Sequence, residues 1–168
     1  MRQQDRRAFV LFLSVTAFAL LLTGMYLAGH KVVHTQIIIP TSATKVWSVL
    51  TDTSSYSKWH PVIAHVEGRL EPGQQVVSMW TDAEGEKHQI ESNVVRYKDE
   101  RLLNLYGGMP LVLTFDHRFE LETVPEGTRV TQFEEYRGIG VLFWDTTRIK
   151  TAHAAANEAL RAYVMELK

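Results

Sequence analysis

Cysteine is absent from the 168-residue chain. Its absence excludes disulfides, thiolate metal sites, a cysteine nucleophile and a lipidated cysteine. An excess of charge is absent too, since 18 Lys and Arg face 19 Asp and Glu for a net charge of −1. No basic field is available to hold a phosphate backbone, so nucleic acid is not an expected partner. Internal repeats, low-complexity tracts and linkers longer than a turn are all missing, which leaves one domain with a sizeable core. No GxSxG occurs and no serine stands beside a readable base, which removes that form of serine catalysis. Histidine is present, but His60, His65, His88 and His117 show no compact helical or HxH spacing. No metal site is therefore expected from them.

Charge is also missing locally, from Ala8 to Gly29, where 22 residues run without an ionisable side chain other than Tyr26. As a helix this segment spans about 33 Å, enough for a hydrocarbon core of about 30 Å. A cleaved signal peptide has a shorter apolar stretch of about 7 to 15 residues and small residues at its cut. Here the candidate sites, Tyr26-Leu27-Ala28 and Leu27-Ala28-Gly29, each begin with a bulky side chain. A buried core helix is the remaining alternative. The length favours an uncleaved anchor. Arg2, Arg6 and Arg7 precede it and only Lys31 follows closely, which keeps residues 1–7 cytoplasmic, makes 8–29 the transmembrane segment and places 31–168 in a periplasm or other extracytoplasmic space. Beyond the anchor the net charge is −3, which disfavours tight docking on anionic lipid. Ala17, Ala19, Gly24 and Ala28 permit helix packing without forming GxxxG, and the oligomeric state stays open.

The rest reads as α+β. A β-branched run from Val32 to Ile39, ended by Pro40, predicts a first strand. Thr41 or Ser42 can cap a short helix through Ala43 to Asp52, and a second turn follows from Ser54 to Trp59, stopped by His60-Pro61. The helical period then disappears. Six strands are predicted at 62–70, 75–81, 87–97, 101–106, 114–123 and 128–137, separated by Glu71-Pro72-Gly73, Glu84-Gly85, Lys98-Asp99, Gly107-Gly108 with Pro110, and Pro125-Glu126-Gly127. That order predicts an antiparallel meander. From Asp145 to Lys168 a final helix, capped by Asp145 or Thr146, carries Ile149, His153, Ala156, Leu160, Tyr163 and Leu167 on one stripe. The concave side of the sheet is where that stripe is buried.

Strand alternation sorts the polar candidates. If Val130 faces inward, so do Gln132, Glu134 and Tyr136, while Arg129, Thr131, Phe133 and Glu135 face out. Phe115, His117, Phe119 and Leu121 share a face on the neighbouring strand, and His153 interrupts the apolar stripe of the helix. Glu134, His117 and His153 are thus the candidates for acid/base work, because a carboxylate beside an imidazole can move protons near neutral pH. Each also has a structural reading: His117 at a wet rim near Asp116, His153 bonded to the sheet, Glu134 paired with an arginine or Tyr136. Trp47, Trp59, Trp80 and Phe143 read as core, whereas Trp144, after GIGVLF, suits a cavity mouth or a membrane-facing lip.

Ile39, Val46, Trp47, Leu50, Asp52, Tyr56, Trp59, Pro61, Gly68 and Gly73, with His117 to Glu122 and Gly127 to Gly138, are together similar to the SRPBCC or START-like superfamily of the polyketide cyclase/dehydrase and lipid transport type. The resemblance covers about 135 residues and departs at His60, often Asn there, and at Gln132, often His. It implies a helix-grip fold, a curved antiparallel sheet of about seven strands around the C-terminal helix, preceded here by the transmembrane helix. It also implies a cavity for an apolar small molecule or lipid and no metal or obligatory cofactor. The expected lining is Trp59, His60, Phe115, His117, Phe119, Gln132, Glu134, Tyr136, His153, Ala156 and Leu160. Since the fold hosts many functions, three classes stay open. They are a membrane-anchored binding module, a cyclase or dehydrase using Glu134 with His117 or His153, and a tethered protein-interaction domain.

For the orientation, protease added to intact spheroplasts is expected to remove the domain, and survival until lysis would reverse the assignment.

Overall fold

The computed structural model describes residues 3–82 and 85–167. Arg2, Glu84 and Lys168, on which an orientation signal, a turn and a helix end were placed, lie outside the described residues. Helix α1 (Gln3–Ala28) leads directly into strand β1 (His30–Ile39), and within it Phe9–Ala28 is long and apolar enough to cross a membrane.

Pro40 ends β1, and Ser42, the second of the two cap candidates, caps α2 (Ala43–Thr51) by accepting from the Lys45 backbone N–H. A 3-10 turn (Thr53–Ser55) and the single-turn helix α3 (Tyr56–Trp59) follow, locked to α2 by the Tyr56 hydroxyl, which donates to the Leu50 carbonyl at 2.6 Å. Then come strands β2 (Ile63–Gly68), β3 (Gln75–Thr81), β4 (Lys87–Lys98), β5 (Leu102–Met109), β6 (Leu113–Val124) and β7 (Gly127–Arg137), a 3-10 turn (Ile139–Phe143), and helix α4 (Thr147–Glu166). The seven strands form one antiparallel sheet in the order β1-β7-β6-β5-β4-β3-β2. The meander is as expected, with β1 added at its far edge beside β7. The fold is the α+β helix-grip fold.

Alternation in β7 is strict. Thr128, Val130, Gln132, Glu134 and Tyr136 are buried, and every residue between them is more exposed. The main core joins the inner face of the sheet to α2, α3 and α4 through Ile39, Leu50, Val130, Leu160 and Val164, while a smaller cluster of Val33, Tyr136 and Val141 lies toward the other end. The expected stripe on α4 needs correction at its end. Ala156, Asn157, Leu160 and Val164 are its buried residues, and Leu167 is the cap, in extended backbone and 39% exposed. Leaving helical geometry turns Leu167 away from the direction that its spacing implied. The 3-10 turn at Ile139–Phe143 lacks any periodicity and was not anticipated.

Leu160 is 1% exposed. Leu160→Ala should therefore lose about 2 to 5 kcal/mol of stability in denaturant titration, whereas Leu167→Ala should stay within about 0.5 kcal/mol. Equal effects would mean that the helix is rotated from the face described.

Candidate functional site

The register of β6 on β7 places His117 directly opposite Glu134. Phe119 faces Gln132 and Phe115 faces Tyr136 in the same ladder, so the inward residues of the two strands form cross-strand pairs. Helix α4 crosses this face and brings His153 down onto it. The His153 Nε2 lies 3.0 Å from a Glu134 carboxylate oxygen, and its ring stacks on that of His117 with centroids 5.0 Å apart and planes 9° from parallel. The ligand-type atoms of His117, Glu134 and His153 all lie within 4.8 Å of one another. The three candidates, two from strand alternation and one from the helix stripe, lie together.

A second layer holds them. The Tyr136 hydroxyl lies beside Glu134 and the Gln132 side chain beside the His117 ring, near enough for each to shift its neighbour's protonation. Gln132 also donates to the side-chain oxygen of Asn157 at 2.6 Å, and the Asn157 amide donates to the Thr35 hydroxyl at 3.2 Å. This chain ties β1, β7 and α4 together through the buried Gln132 and Asn157 and the half-buried Thr35, and the two buried amides are tolerable because they satisfy one another. Asn157 and Thr35 were missed in the sequence. The available signal was that Asn157 lies four residues after His153, on the same face of the helix.

His60 sits on the turn after α3, stacked on Tyr56 at 5.6 Å. Its Nδ1 accepts from the backbone N–H groups of Val62 and Ile63, at 3.3 and 2.9 Å. An acceptor at Nδ1 leaves the ring proton of the neutral imidazole on Nε2.

The electrostatics follow from burial. Desolvation, reinforced by the positive charge that His117 and His153 can carry, lowers the His60 pKa to about 3. Burial likewise pushes His117 down, against the pull of Glu134. For Glu134, burial acts to raise the pKa, but the imidazoles of His117 and His153 outweigh it, and the carboxyl sits below its ordinary range. Burial and the neighbouring Glu134 charge raise Tyr136, so its phenol remains a proton donor.

The other expected lining residues separate. Trp59 is 8% exposed, donates its indole N–H to Ser55 and borders His60, whereas Phe119, Ala156 and Leu160 are buried. Phe115 joins Tyr136 in the smaller cluster. His65 lies beside Glu67 and His88 beside Asp82, each in an ion pair on the surface away from this centre. His117 is not at a wet rim, since its Nε2 is buried. A cleft of about 540 Å³ lies elsewhere, between the β1 edge and the start of α4, lined by Val32, Val33, His34, Thr146, Thr147 and Lys150. It holds none of the buried polar centre.

The family model for polyketide cyclase / dehydrase and lipid transport matches residues 30–165. The chain belongs to this family. No curated protein matches it. Among solved structures it is similar to a protein from Nitrosomonas europaea, at 21% identity over 79% of this chain and 95% of that one, with a TM-score of 0.59. It is also similar to the di-domain ARO/CYC BexL, at 15% identity and a TM-score of 0.68, over 83% of this chain and 51% of BexL, about half its length. A third is the major latex-like protein 151 of Panax ginseng, at 14% identity over 80% of this chain and 97% of that one, with a TM-score of 0.66. At these identities the neighbours establish the fold.

The His60 shift makes a pH prediction. Folded His60 binds its proton only near pH 3, while the unfolded chain binds it near 6.5. Between those values the unfolded state holds the extra proton, so stability falls as pH drops below about 6.5. Glu134, with its lowered pKa, contributes in the same direction. His60→Asn should flatten this dependence, seen as a smaller loss in denaturation midpoint from about pH 7 to pH 4.5. An unchanged pH dependence would show that the ring is not buried neutral.

Proposed function

We propose that the protein is a membrane-tethered module that takes an apolar or amphipathic small molecule from the bilayer toward the His117, Glu134 and His153 centre. The observation that carries this reading is an apolar lip beside the end of α1. Met109, Leu111, Val112 and Phe143 are 65, 65, 51 and 79% exposed, with Leu142 beside them. Exposed apolar groups gathered in one place mark a surface for membrane or ligand.

The lip is joined to the apolar helix by backbone. The Gly138 N–H donates to the Gly29 carbonyl at 2.9 Å, Ile139 to Leu111 at 3.0 Å and Gly140 to Val112 at 2.8 Å. A Cβ on Gly29 would stand 2.0 Å from the Gly138 carbonyl oxygen, so only glycine permits this approach. Phe143 rather than Trp144 points outward. Trp144 turns back to meet Tyr136 edge-on at 4.7 Å, and the hydroxyl of Tyr136 reaches Glu134. A path of contacts thus runs from the lip through Trp144 and Tyr136 to the polar centre.

A specific observation also favours a second reading, turnover of the cyclase or dehydrase kind. Glu134 stands 3.0 Å from the His153 Nε2 with His117 stacked alongside, which is within proton-transfer reach.

Native mass spectrometry of the full chain released from membranes should detect a co-purifying small apolar molecule, and the double variant Leu111→Asp/Phe143→Asp should lose it. No adduct on the wild type, or an equal adduct on the variant, would contradict the proposal. Glu134→Gln then separates the two readings. A carrier should retain its ligand within a factor of ten, about 1.4 kcal/mol. An acid/base enzyme should convert the molecule about 100 to 10,000-fold more slowly.

A further inference from the structure

Among the described residues, the buried His117 Nε2 and His153 Nδ1 have no hydrogen-bond partner. An unpartnered nitrogen costs roughly 1 to 3 kcal/mol wherever water is excluded, so two of them in one centre call for an explanation. The geometry of the centre supplies one for the His117 Nε2; on His153 it is Nε2, not the orphaned Nδ1, that faces Glu134. Three side chains from three elements, β6, β7 and α4, bring two imidazoles and one carboxylate within 4.8 Å of each other. The 3.0 Å separation between the Glu134 oxygen and the His153 Nε2 is close to the edge of a metal tetrahedron, about 3.3 Å for bonds of about 2.0 Å.

The surroundings match those of a metal centre as well. Ligating imidazoles and carboxylates are oriented by outer hydrogen bonds. Here Gln132, held by Asn157, lies beside His117, and the Tyr136 hydroxyl lies beside Glu134. His60 is near enough to couple electrically to His117 and His153, but with Nδ1 committed to two backbone donors its Nε2 carries the proton. It therefore serves as a donor rather than a fourth ligand.

We propose that His117, Glu134 and His153 bind one divalent transition-metal ion of the zinc class, leaving a coordination position open to water or to a polar group of the bound molecule. Two nitrogens and one oxygen exclude magnesium and calcium, which prefer oxygen throughout. This inference rests on the cluster being the functional centre, but not on the identity of the apolar molecule or on its turnover.

The test uses the untagged full chain in detergent, stripped with a chelator and titrated with Co²⁺ alone. Expected are d–d absorption bands of a four- or five-coordinate ion that saturate at one equivalent, with competition by Zn²⁺. His117→Gln and His153→Gln should abolish the bands. Tyr136→Phe, which keeps every ligand, should weaken binding about 10 to 100-fold, so the test survives if a ligand variant does not fold. His65→Gln, in an exposed pair, should leave binding unchanged. Absence of saturable bands in the wild type, or bands lost with His65→Gln and kept with the others, would overturn the site. A co-purifying apolar molecule found together with no metal binding would overturn this inference alone and leave the binding module standing.

Discussion

A carboxylate inside a protein core has to be compensated, and the interior of this domain is arranged around that requirement at Glu134. Its side chain is 9% exposed on the inner face of β7, where alternation leaves it no route to water. Stranding such a charge costs several kcal/mol, so a partner must come from whatever covers the strand. His153 supplies it from α4, at 3.0 Å, and thereby fixes both the rotation and the height of the helix over the sheet. Gln132 and Asn157 repeat the same link one step along. The apolar contacts of Leu160 and Val164 give the helix its burial, and these polar links give it a single register.

Much of this was legible in the sequence, and for a physical reason. A strand with period two and one apolar face declares its inward residues as soon as one of them is known, so Val130 was enough to place Gln132, Glu134 and Tyr136. Strand ends were legible because Pro and Gly mark them. What the sequence could not supply was the lateral register of β6 on β7 and the height of α4, which turn the candidates His117 and His153 into neighbours of Glu134. Asn157 was hidden for a related reason: a polar residue on an apolar helix face has no meaning until the opposite amide, Gln132, is in place. The 3-10 turn that supports the lip is held by backbone bonds to residues 111 and 112, a tertiary effect that no local periodicity reports.

The two ends of the proposed route make opposite physical demands. At the lip, Phe143 and Leu111 are exposed to solvent, a cost that a bilayer or an apolar molecule would remove. At the centre, imidazoles and a carboxylate are deprived of water and must satisfy one another. Tyr136 touches both: its ring lies in the apolar cluster with Trp144 and its hydroxyl belongs to Glu134. A molecule with an apolar body and one polar end would meet complementary surroundings along this line.

The compensation of Glu134 by His153 is most directly tested by a double-mutant cycle on stability, using Glu134→Gln, His153→Gln and the pair together. If the two groups form one buried unit, the coupling energy should be about 1.5 to 3 kcal/mol, and the double variant should be less destabilised than the sum of the single ones. Additivity within about 0.5 kcal/mol would contradict the central claim, because it would mean that helix and sheet are held in place without this pair.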